Sequence, residues 1–140
     1  MFVYDKKLQF PVRITNTDPK LASIIVSQYG GPDGELGASL RYLSQRYSMP
    51  FPELQGLLTD IGTEELGHLE MVGAIVHQLT RKLTDSQIEN SSFAPYFVDH
   101  TTGVFPNPAS GGVYNTGMLQ VKGDPIADLS EDLAAESSLN

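Results

Sequence analysis

The chain has 140 residues, a formal charge of −8, a pI near 4.6, 40% hydrophobic residues and a mean hydropathy of −0.16. That length buries one core without cross-links, so a single domain over residues 1–140 is expected. The acidic balance excludes nucleic acid as a partner, because phosphates call for a basic surface, and it suits a protein that gathers carboxylates for cations. No apolar run approaches the roughly 18 residues of a bilayer span, and no cysteine is present for disulfides, thiolate metal sites or nucleophilic catalysis.

The opening MFVYDKKLQF lacks the apolar core of a secretory signal, so the default expectation is a cytoplasmic protein. Residues 1–17, with Tyr4, Leu8, Phe10 and Val12 among charges, read as an extended arm. Asp18-Pro19 is a helix start, Asp at the cap and Pro at the first helical position, where its missing N–H costs nothing. That helix runs through Val26 and breaks at Gly30-Gly31-Pro32. A second helix runs from Asp33 to the stop at Met49-Pro50, and a long one from Pro52 to about Arg81. Asp85 to about Val121 is rich in Pro, Gly, Asn and Ser with interspersed aromatics, an irregular excursion of short strands or turns. Gly123-Asp124-Pro125 repeats the start signal, and IADLSEDLAAE reads as a last helix.

On the long helix, steps of three and four residues pick out Leu58, Ile61, Glu65, His68, Val72, Ile75 and Leu79. The pattern is the apolar seam of a bundle helix, interrupted at its centre by Glu65 and His68. A carboxylate there costs several kcal/mol unless it is paired. The pair could satisfy itself, since positions three apart are neighbours on a helix, and a core histidine bonded to a carboxylate is the ordinary outcome. Glu64 and Glu70 fall off the seam and read as solvated or rim residues. Glu35 and Tyr42 share one face of the second helix beside Leu36, Leu40 and Leu43, although Glu35 could equally be a first-turn carboxylate favoured by the helix dipole. Ile126, Leu129, Leu133 and Glu136 share a face of the last helix, where a frayed, exposed end is the alternative for Glu136. Three inward glutamates and one histidine from three helices match the carboxylate dimetal sites of helix bundles, with Mn or Fe as the suited ions. Tyr42 is placed to hydrogen-bond a ligand carboxylate. His77 lies off the seam and is expected to be exposed, and His100 reads as a spare loop histidine.

The stretches GGPDGELGASLRYLSQRY, LLTDIGTEELGHLEMV and KGDPIADLSEDLAAE resemble the manganese catalases, most of all their spore-coat branch. The resemblance runs from KKLQFPV to about Glu136, and the Glu-Glu-x-x-His block spaced from Gly-Gly-x-x-Gly-Glu is its most specific part. It implies an all-α, ferritin-like four-helix bundle with a dinuclear manganese site that disproportionates hydrogen peroxide to oxygen and water. By position it assigns Glu35, Glu65, His68 and Glu136 as metal ligands, one of the glutamates bridging, with Tyr42 in support. It also implies a homo-oligomer, a spore-coat location and other spore-coat proteins as partners. Members of the family add a second Glu-x-x-His from a fourth helix, together with a glutamate that serves as a proton-transfer base. Here the sequence ends AAESSLN, so a bundle lacking that helix, its histidine and its base is expected. The alternatives are a structural coat component with a vestigial or incomplete site and, as runner-up metal chemistry, a di-iron oxidase or store.

Overall fold

The computed structural model describes residues 3–31, 33–96 and 115–138. Among these the chain is helical, with no strand: α1 Pro19–Ile25, α2 Ser27–Gly30, α3 Glu35–Gln45, α4 Pro52–Thr80, α5 Asp85–Glu89 and α6 Pro125–Ser138. Short 3-10 turns at Arg46–Ser48, Ala94–Tyr96 and Thr116–Met118 fill out the connections.

The start signals act as the sequence implies. The Asp18 carboxylate accepts from the Leu21 amide at 2.9 Å, and Asp124 accepts from the Ile126 and Ala127 amides at 3.0 Å. The first helical run is divided, however: α1 ends at Ile25 and α2 takes over at Ser27. The excursion also contains an element not expected of it. Thr84 and Gln87 form a reciprocal capping box that starts α5, and α5 buries Ile88. Its strands are not found among the described residues, and residues 97–114, including His100, lie outside them.

The arm is extended but pinned. Gln78 of α4 accepts from the Ile14 amide at 2.7 Å and donates to the Val12 carbonyl at 2.8 Å, giving arm backbone the partners a strand neighbour would supply. On α4 every seam position from Leu58 to Leu79 is buried or half-buried, and His77 is exposed. Two apolar clusters form along it. Val72, Val76 and Leu79 pack with Ala22, Val26, Ile88 and Phe93 at its C-terminal half. Leu58 packs with Tyr42 and Met49, with Leu129 of α6 against them, nearer its start. Phe93 therefore packs in the core, its ring 5.6 Å from that of Tyr96. Glu65 and His68 occupy the gap between the clusters.

Close approach of α3 to α4 depends on Gly62, where a Cβ would lie 3.0 Å from Leu43 Cγ and 3.2 Å from Tyr42 Cβ. There Ser39 Oγ donates to the Gly62 carbonyl at 2.6 Å, a buried tie between the helices. The inward face of α6 differs from the one that apolar spacing picks out: Ile126 and Leu133 are exposed, while Asp128 and Asp132 are buried. Asp128 goes inside because its carboxylate accepts from the Lys122 and Gly123 amides at 2.8 and 3.1 Å, which closes the turn leading into α6. On α3, likewise, Leu40 is at the surface and the buried line is Ser39, Arg41, Tyr42 and Gln45.

Candidate metal centre

Glu35 heads α3, whose N-cap Gly34 is extended and buried. Its first-turn position and its inward aim are compatible, because the start of α3 faces the middle of α4. One donor atom each from Glu35, Glu65 and His68 lies within 4.8 Å of the others. His68 Nδ1 is 2.7 Å from Glu65 Oε2 and 4.0 Å from Glu35 Oε2, and its Nε2 is 3.8 Å from Glu64 Oε1. Glu65 is almost wholly buried, and His68 opens to a groove of about 590 Å³ lined by Leu54, Leu57, Leu58, Ile61, Leu129 and Leu133. Glu136 reaches that groove from α6 and accepts a hydrogen bond from Tyr42 Oη at 2.5 Å. Although Glu136 is exposed, its end of α6 is helical and its carboxylate has a defined partner.

The electrostatics describe a site short of positive charge. Burial raises the Glu35 carboxyl to about 7, helped by its hydrogen bond to Glu65 and by the Glu65 charge. Burial also raises Glu65, with the Glu136 and Glu64 carboxylates adding to the effect. Glu35 therefore keeps a proton and donates it to Glu65, the usual settlement when two carboxylates share a desolvated space. Tyr42 is raised by burial and by Glu136, so it remains a phenol and a donor. Burial lifts Asp132, on the same groove, to about 6, against the opposing pull of Gln45 and Arg41. A cation among Glu35, Glu65 and His68 would replace the shared proton and reverse the repulsion. Two hard oxygens with one imidazole suit Mn or Fe in the divalent state. The residues present fit such an ion.

A model of the family described as manganese-containing catalase matches residues 1–139. The chain belongs to that family. It is 49% identical over 136 residues to Protein CotJC of Bacillus subtilis, covering 97% of this chain and 71% of that protein. It is 31% identical over 138 residues to a probable manganese catalase of Clostridium acetobutylicum, covering 97% of this chain and 61% of that protein. Among solved structures, KatB, a manganese catalase from Anabaena, superposes with a TM-score of 0.77 at 28% identity, covering 99% of this chain and 62% of KatB. The fold is thus the ferritin-like helical fold of the manganese catalases. The chain spans roughly three-fifths of the two manganese catalases and nearly three-quarters of CotJC.

The structure brings Glu35, Glu65 and His68 into one cluster and places Glu136 and Tyr42 beside it across the groove. Sequence spacing overlooked two carboxylates. Glu64 sits at the rim but faces the far nitrogen of His68. Asp132 is buried one turn before Glu136, and counting from apolar neighbours hides it because its own face of α6 is polar.

Proposed function

We propose that Glu35, Glu65, His68 and Glu136 are ligands of a dinuclear manganese centre whose activity is disproportionation of hydrogen peroxide. The observation that carries this is the juxtaposition of Glu35, Glu65 and His68 in a chain whose residues 1–139 match the family model. When bound, manganese supplies two-electron redox exchange with peroxide. The chain's own residues hold and orient it. Glu35 and Glu65 give up their shared proton to bring anionic oxygens together, His68 adds a neutral nitrogen, and Tyr42 fixes one oxygen of Glu136. The leucine-lined groove leads peroxide to the carboxylates and limits bulk water. Iron is the second choice of metal, because the donor set admits it equally well. We take the domain to be a single unit over residues 1–140 that self-associates.

A second reading follows from the higher identity to CotJC than to the catalases compared. On it the chain is a structural component of the spore coat that docks with other coat proteins, its metal site incomplete. Oxygen release from peroxide per bound manganese separates the two. Manganese-dependent oxygen evolution supports the enzyme, and bound manganese without oxygen supports the coat component.

A further inference from the structure

His68 presents its two ring nitrogens to different carboxylates. Nδ1 faces Glu65 and Glu35, while Nε2 faces Glu64 Oε1 at 3.8 Å. That same Glu64 oxygen accepts from Gln9 Nε2 at 2.5 Å. Gln9 belongs to the N-terminal arm, which lies along α4 and is held at one side by Tyr4 Oη donating to Glu70 at 3.5 Å and at the other by Gln78. The chain from arm to site therefore runs Gln9, Glu64, His68, Glu65.

We infer that Gln9 and Glu64 are positioning residues for His68: the arm holds the Glu64 carboxylate at the Nε2 edge, ready to accept from Nε2–H once a metal takes Nδ1 in place of its 2.7 Å contact with Glu65. This rests on reading Glu35, Glu65 and His68 as metal ligands. A neutral imidazole has one N–H and one lone pair, and the partner of one nitrogen decides which is which. A carboxylate behind a ligating histidine fixes the ring's tautomer and angle and strengthens it as a donor to metal. Glu64 is well suited to this, because its side chain is only 39% exposed and Gln9 limits its remaining freedom. At 3.8 Å the Glu64 oxygen lies beyond hydrogen-bond distance of Nε2 in the metal-free chain. Metal on Nδ1 makes Nε2–H a stronger donor and draws the two together.

The test is titration of the full chain with Mn²⁺, read by the electron paramagnetic resonance signal of free Mn²⁺, for wild type, Glu64→Ala, Glu64→Gln, Gln9→Ala and His68→Ala. Both new positions are at or near the surface, so helical content should not change. Glu64→Ala should weaken Mn²⁺ binding by about 10- to 100-fold, the usual effect of losing such a partner. Gln9→Ala should weaken it less, and Glu64→Gln, which keeps an acceptor oxygen, should recover most of the affinity. In protein loaded with diamagnetic Zn²⁺, the His68 Nε2–H resonance should be sharp in wild type and broadened by exchange in Glu64→Ala. If His68→Ala abolishes binding while Glu64→Ala and Gln9→Ala bind as wild type, the positioning role is overturned and the ligand assignment stands. If His68→Ala itself binds as wild type, both are overturned.

Discussion

His68 Nδ1 lies 2.7 Å from Glu65 Oε2, one turn along the same helix, at a point where both neighbouring turns are apolar. A histidine–carboxylate pair is an ordinary way to settle a buried charge. What sets this one apart is Glu35, delivered by another helix and obliged to keep a proton in order to stay. Two acids in one desolvated space are costly by themselves, and the arrangement becomes favourable only when a cation joins them.

Replacing Glu65 by Gln should therefore stabilise the metal-free protein while removing its affinity for Mn²⁺. Gln keeps the shape and can donate its amide N–H to the Glu35 carboxylate, but it carries no charge. Thermal melts at pH 8 should show a gain of about 1–2 kcal/mol, the scale of relieving a buried, crowded carboxylate. A loss of stability there would mean that the charge itself holds the fold together.

Stability of the metal-free protein should fall as pH rises. The folded-state pKa of Glu35, about 7, is above the ordinary 4.5. The native chain thus binds more protons than the unfolded chain between those values, and stability declines with pH through that window. The full contribution, up to about 3 kcal/mol for this shift, is present below pH 4.5 and is gone above 7. Saturating Mn²⁺ should reverse the trend, because the ion competes with that proton and binds better as pH rises. Parallel melting curves with and without Mn²⁺ across pH 5–8 would refute the coupling of Glu35 to metal.

Tyr42→Phe should leave the fold intact and loosen the site mildly. The ring is 2% exposed and Phe fills the same space, so what is lost is the hydrogen bond to Glu136. A stability change of about 1 kcal/mol and a several-fold weaker hold on Mn²⁺ are expected. Global unfolding, seen by circular dichroism, would show that the hydroxyl matters to the core instead.

Gly62→Ala and Gly56→Ala should have opposite signs. Both glycines lie inside α4, where Ala is better by roughly 1 kcal/mol on propensity. At Gly56 a Cβ meets nothing within 4 Å, so the melting temperature should rise. At Gly62 it meets Leu43 and Tyr42, and prising α3 from α4 should cost about 1–3 kcal/mol, outweighing propensity. Equal gains in the two variants would show that Gly62 does not set the helix spacing.

The seam of α4 was legible because five aliphatic residues at bundle spacing leave Glu65 and His68 no outward direction. Glu35 and Tyr42 were legible as a pair on one face, and the caps at Asp18 and Asp124 from their Asp-Pro steps. The inward face of α6 was not. Apolar spacing chose Ile126 and Leu133, but hydrogen bonds to turn amides draw Asp128 inside and leave Ile126 exposed, while Leu133 edges an open groove. The capping box of α5 was present in Thr84 and Gln87 but masked by surrounding turn formers. Glu64 was within reach of the sequence as the residue four before His68 on the same helix, but its tie to Gln9, 55 residues away, was not.

Metal binding through His68 is decided by the Mn²⁺ retained per chain by wild type and by His68→Ala after equilibrium dialysis, with helical content recorded on the same samples. Wild type should bind saturably, and His68→Ala should lose that binding at unchanged helicity. Equal manganese in the two proteins would mean that His68 is not a ligand.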